Sequence, residues 1–104
     1  MTSGKVVPAG ASPETAARFD ELAQAFARLR NVDTVKAFLR DLCTLTELDA
    51  MGQRLQVARM VDSGVHYQEI SRRTGASTAT VTRVAQWLHY GEGGYRAVLK
   101  RGRR

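Results

Sequence analysis

Disulfides, long apolar runs and strand-like alternation are all missing from this sequence. Its 104 residues include one cysteine, Cys43, so no intrachain disulfide can form and a reducing compartment suits the chain. Cys43 lies in an apolar stretch near the end of a helical run, where a buried structural thiol is expected. No apolar run approaches membrane-spanning length, and the first twelve residues hold no signal-peptide core. A soluble, cytoplasmic protein with no membrane contact is the expectation. His66 and His89 have no cysteine or carboxylate at metal-ligand spacing, so no metal site is expected. Gly91-Glu92-Gly93-Gly94 lacks the lysine and the strand context of a phosphate-cradling loop. No nucleophile, base and orienting group can be read together, which argues against an enzyme. Internal repeats and low-complexity domains are also lacking.

Acidic residues are scarce in one half only. The net charge is +6, which favours a polyanionic partner. Residues 1–52 carry six Lys/Arg and seven Asp/Glu, whereas residues 53–104 carry ten and three. No acid lies between Glu69 and Glu92.

What is present reads as helix throughout. The chain is short enough for one domain with a modest core. Residues 1–11 form a small-residue arm with Gly and Pro, expected to be flexible. Residues 12–100 form the helical domain, and 101–104 a basic tail. Ser12-Pro13 supplies an N-cap and a first-position proline, after which Phe19, Leu22, Ala23, Phe26 and Leu29 recur at helical spacing to about Arg30. Asp33 is expected to cap a second helix with Val35, Phe38, Leu39 and Leu42 on its apolar face. Thr46-Glu47-Leu48-Asp49 resembles a capping box for a third, whose face includes Leu48, Met51, Leu55, Ala58 and Val61. Gly64 ends it. Phe19, Phe26 and Phe38 form a face that can pack on the same chain or on a second copy. Beyond the Gly91–Gly94 break, Tyr95, Val98 and Leu99 support a short sixth helix. Trp87, Tyr90 and Tyr95 are expected to serve packing.

Residues 67–88, YQEISRRTGASTATVTRVAQWL, carry the most specific signal. Two helical runs flank Gly75-Ala76, where positive φ at Gly75 lets the chain leave the first helix. Ile70, Thr74, Ala76, Val81, Val84 and Leu88 fall where crossed helices bury side chains, with the small Ser71 at the close approach. Ser77, Thr78, Ala79, Thr82, Arg83 and Gln86 then face outward with no carboxylate among them. This is the pattern of a helix-turn-helix whose second helix enters the major groove of double-stranded DNA. Ser77 is expected to cap that helix and turn its positive end toward phosphate. Thr78, Ala79 and Thr82 are candidates for base edges. Thr80 is assigned to the helix junction or a phosphate. Gln68, Arg72 and Arg73 are candidates for gripping the backbone, which sets register rather than sequence. For both arginines a solvated helix face stands as the alternative. A two-fold homodimer is attractive because it spaces two reading helices about one DNA turn apart.

These residues resemble the Trp repressor superfamily, and within it the YerC/YecD-type related proteins. The resemblance lies in DLCTLTELDAMGQRLQVARMV, YQEISRRTGASTATVTRV and LHYGEGGY, and covers roughly residues 15–100. It implies an all-α, six-helix fold, an intertwined homodimer and transcriptional regulation through operator DNA. In Trp repressor two arginines and a space-giving glycine hold the amino-acid corepressor. The matching arginines are Arg54 and Arg83, but the glycine position is Val84, and the stretch from Gly64 to Gly75 is one residue shorter. Tryptophan is therefore not expected as an effector, and no cofactor is assigned. Arg54 is left as a DNA phosphate contact, part of an internal polar clamp, or a solvated helix charge. The alternatives to an operator-specific regulator are a helical protein-interaction module, an RNA-binding module using the same basic face, and a transposase-type targeting domain.

Overall fold

The computed structural model describes residues 6–102 and contains six helices, with no strand among the described residues. They are α1 (Pro13–Ala27), α2 (Val32–Leu42), α3 (Leu45–Asp62), α4 (Tyr67–Thr74), α5 (Thr78–Tyr90) and α6 (Gly94–Gly102). The all-α, six-helix expectation holds. Residues 1–5 of the N-terminal arm lie outside the described residues. Its remainder contains a turn in which the Ala11 amide donates to the Pro8 carbonyl at 3.1 Å. α6 takes in the first two residues of the segment read as a basic tail. Arg103 and Arg104 lie outside the described residues.

The chain divides into two compact units, one ending at Cys43 and one beginning at Thr44. In the first unit Ser12 caps α1 by accepting from the Thr15 amide, and Pro13 occupies the first turn, as the sequence implies. α1 ends at Ala27, short of Arg30, because the Arg28 and Leu29 amides turn back to the Ala25 and Phe26 carbonyls. The cap of α2 is Asn31 rather than Asp33: Asn31 Oδ1 accepts from the Thr34 amide at 2.9 Å. Asp33 sits in the first turn, where its charge suits the positive helix end. Phe26 and Phe38 meet edge to face with ring centroids 5.1 Å apart. Neither helix contains a buried residue, and Phe19 and Leu22 stay exposed. Cys43 is only half-buried, at the extended residue that ends α2, so the expected buried thiol is corrected.

The second unit begins with a capping box two residues earlier than the sequence reading placed it. The Thr44 amide donates to Glu47 Oε1 at 2.8 Å and the Glu47 amide to Thr44 Oγ1 at 3.1 Å. Both candidate boxes have the required spacing. Extended backbone at Cys43 ends α2 and leaves Thr44 in the capping position. α3 stops in a Schellman motif, with the Val65 amide donating to Met60, the Gly64 amide to Val61, and Gly64 at φ 84°.

The core of this unit joins Val57 and Ala58 of α3, Ile70 of α4, Ala76, Val81, Val84 and Leu88 at the turn and along α5, and Leu99 of α6. Leu55, Met60, Val61, Val65 and Tyr95 pack around it, partly buried. Val57 is absent from the face read along α3, and Met51, which was assigned to that face, is exposed. α3 touches α4, α5 and α6 at once, so its buried positions are not confined to one stripe. Trp87 and Tyr90, expected to serve packing, are 57% and 87% exposed, so the chain itself does not bury them. Two apolar faces thus point into solvent.

Candidate nucleic-acid interface

The turn between α4 and α5 is fixed by hydrogen bonds that leave its backbone little freedom. Gly75 closes α4 in the left-handed region at φ 78°, and its amide donates to the Ser71 carbonyl at 2.9 Å. The Ser71 hydroxyl donates to the Ala76 carbonyl. Thr74 Oγ1 donates to the Ile70 carbonyl at 2.8 Å and accepts from the Ala76 amide at 3.1 Å. The Gln53 side chain donates from α3 to the Thr74 carbonyl at 3.1 Å. Ala76 is buried immediately before the cap. Local chemistry at residues 70–76 and one reach from α3 therefore set the direction in which α5 leaves.

Ser77 caps α5, accepting from the Thr80 amide at 3.1 Å, with no acid in the first turn. Val81, Val84, Ala85 and Leu88 turn inward and are buried. Thr78, Ala79, Thr82, Arg83 and Gln86 turn outward and together line one shallow depression. Thr80 is half-buried and its hydroxyl meets that of Ser77 at 3.1 Å, so it belongs to the helix junction. The strip presents short hydroxyls, a methyl, an amide and one guanidinium, with the positive end of the helix behind them.

Not every candidate joins that strip. Gln68 is exposed beside His66 and Tyr67 at the start of α4. Arg54 is exposed on α3. Arg72 and Arg73 are exposed on the last turn of α4, but both are bound to Glu69. Arg72 Nε donates to Glu69 Oε1 at 3.0 Å, while Arg72 Nη2 and Arg73 Nε both donate to Oε2. Those bonds, first from Arg72 and then from Arg73, hold the Glu69 carboxyl down at about 2. The same pairing raises Arg72 above the usual guanidinium range. Neither the Glu69 pairing nor the Gln53 bond is among the expectations from sequence. The spacing of Glu69 to Arg72 and Arg73, i to i+3 and i+4, carried the signal for the first. Nothing local marked the second.

No described helix is long and apolar enough to cross a membrane. Val84, at the position where the resemblance expects space, is buried in the core.

Comparison with known proteins agrees with this architecture. The family model described as Trp repressor protein matches residues 17–103. The uncharacterized protein YerC of Bacillus subtilis (strain 168) is 42% identical over 82 residues, 79% of each chain. The crystal structure of a proposed Trp repressor from Staphylococcus aureus superposes with a TM-score of 0.76 at 41% identity, covering 84% of this chain and 87% of that one. A TrpR-like protein from Eubacterium eligens ATCC 27750 superposes at 0.75 and 39% identity, covering 82% and 88%. Since the family match begins within α1 and runs through the turn at Gly75 to the end of α6, the chain belongs to the Trp repressor family.

Proposed function

We propose that this protein is a sequence-specific DNA-binding transcriptional regulator, acting as a repressor and as a homodimer through α4 and α5. The observation that carries the reading is the outward strip of α5. Thr78, Ala79, Thr82, Arg83 and Gln86 share one open face without a carboxylate, at the end of a helix capped by Ser77. Hydroxyls and a methyl suit base edges and thymine methyls, and the helix start suits phosphate. Gln68 and Arg54 extend the contact along the backbone, and Arg72 and Arg73 join it when released from Glu69. Such a protein acts in the cytoplasm, where its DNA lies.

Two arguments support a second copy in this reading. One reading helix makes few base contacts, and two related by a dyad double them. Unsatisfied apolar surface is also present: α1 and α2 bury nothing fully, and Trp87, Tyr90 and Val98 are exposed. An intertwined dimer covers such faces.

Tryptophan is not the effector in this reading. Val84 is packed in the core, where an indole needs space. The protein works without a cofactor.

The test is selection of bound sites from random duplex, followed by mobility-shift titration of the selected duplex and of structured RNA across salt. A dimer neutralising about six phosphates gives a log–log salt slope of roughly −5. A two-fold symmetric selected site supports the dimeric reader. Equal binding of RNA and all duplexes overturns sequence-specific DNA reading.

A further inference from the structure

Glu69 is the only acid on α4, and no other acid follows it until Glu92. Its half-buried carboxylate accepts three hydrogen bonds from two exposed guanidiniums. Two parallel bonds from Arg72 and one from Arg73 are the contacts that a phosphate group offers arginine. The carboxyl is held at about 2, so it is fully ionised at neutral pH. This exposed cluster on α4 thus carries a net charge of plus one from two arginines and one glutamate.

We propose that Glu69 is an intramolecular stand-in for a DNA phosphate, occupying Arg72 and Arg73 until correct docking of α5 holds a phosphate firmly enough to displace it. The proposal rests on the DNA-reading role of α5. On a matched site the two guanidiniums exchange one anion for another, and the released carboxylate returns to water. On an unmatched duplex α5 does not seat, a loosely placed phosphate does not displace the carboxylate, and the arginines remain on Glu69. The carboxylate then faces the DNA backbone as a like charge. Glu69 therefore suppresses generic polyanion binding more than matched binding, and acts as a specificity-determining residue although it reads no base.

The experiment compares wild type, Glu69→Gln, Arg72→Ala/Arg73→Ala and the triple variant on a selected site and on random duplex. Glu69→Gln is expected to tighten random duplex about five- to tenfold and the selected site about twofold. Its salt slope on random duplex should steepen by about 0.9 per protomer. The gain should vanish in the triple variant relative to the arginine double variant, because the arginines carry it. Glu69→Asp is the second variant, for use if Glu69→Gln loses its helical circular dichroism. It keeps the charge but shortens the reach by one methylene, so random duplex should tighten about twofold with the slope unchanged. Equal weakening of both duplexes by Glu69→Gln overturns the proposal and makes Glu69 a residue that merely orients the arginines. Unchanged affinity on both also overturns it. Wild type that binds no duplex at any salt removes the DNA reading itself, whereas wild-type binding with no specificity change in either glutamate variant removes only the role of Glu69.

Discussion

The side-chain amide of Gln53 donates to the Thr74 carbonyl at 3.1 Å, across twenty-one positions of sequence. It ties α3 to the last residue of α4, immediately before Gly75 redirects the chain. Gln53→Ala removes a partly buried donor and leaves the Thr74 carbonyl one partner short. The expected cost is about 1 kcal/mol in chemical denaturation. Because the bond sits at the turn, affinity for the selected duplex should fall more than affinity for random duplex. Equal loss on both shows that the bond supports stability alone.

Gly75 is the backbone switch of the same turn. At φ 78° a side chain is strained even where space is open, and the nearest atom to an added Cβ is Gln53 Nε2 at 3.9 Å. Gly75→Ala should therefore destabilise by about 1–2 kcal/mol through conformation, with no packing clash. Gly75→Asn should recover part of that loss, since asparagine tolerates the left-handed region better. Denaturant titration of the three proteins checks the order Gly, Asn, Ala.

The outward strip of α5 separates reading from gripping. Thr82→Ala and Ala79→Leu alter the exposed face without touching the buried Val81, Val84 or Leu88. Both should change the preferred base at one or two positions, by about 1–3 kcal/mol of discrimination. Arg72→Ala/Arg73→Ala should instead weaken selected duplexes of different sequence to similar extents. Site selection repeated with each variant is the measurement. Unaltered preference in both reading variants rules out this face as the reader.

Much of this was legible because its signals are local. Positive φ at Gly75, the Ser77 cap and the inward Val81, Val84 and Leu88 all follow from residue type and helical spacing. The caps of α2 and α3 were displaced by two residues because Asn31 competes with Asp33, and Thr44 with Thr46. Periodicity cannot rank neighbours of equal chemistry. Val57 was hidden because α3 packs against three helices, which blurs its stripe. Exposure of Trp87 and Tyr90 was not legible, since an apolar side chain at helical spacing looks the same whether its neighbour belongs to the same chain or another. The Glu69 fork was visible as spacing, but two arginines choosing one carboxylate is a matter of side-chain conformation.

Oligomeric state follows from the unburied faces. Light scattering at low micromolar concentration should give about twice the 11.5 kDa chain mass. Phe19→Asp/Leu22→Asp places charge on an exposed apolar face of α1. If that face lies at the centre of a dimer, the loss should be about 2 kcal/mol or more and the mass should fall toward one chain. A wild-type monomer at that concentration removes the two-fold reader and the symmetric target.

Tryptophan should leave both the protein and its DNA affinity unchanged. The resemblance places the corepressor between two arginines and beside a glycine, and here the residue after Arg83 is Val84, buried with Val81, Ile70 and Val57. An indole seated there must move α5 or displace core side chains, and overpacking of that kind costs about 1–3 kcal/mol. Calorimetry with millimolar tryptophan should show no binding heat, and operator titrations with and without it should coincide. Val84→Gly is the informative variant. It removes three carbons from the core and adds a flexible residue to a helix, so it should destabilise the protein by about 2–4 kcal/mol. The space it opens lies next to Arg83. If Val84 alone excludes the ligand, tryptophan should then raise the denaturation midpoint of Val84→Gly and leave that of the wild type where it was. No shift in the variant assigns the exclusion to the shortened approach between Gly64 and Gly75 as well. Micromolar binding by the wild type, with a matching rise in operator affinity, overturns the prediction and makes the protein an amino-acid sensor.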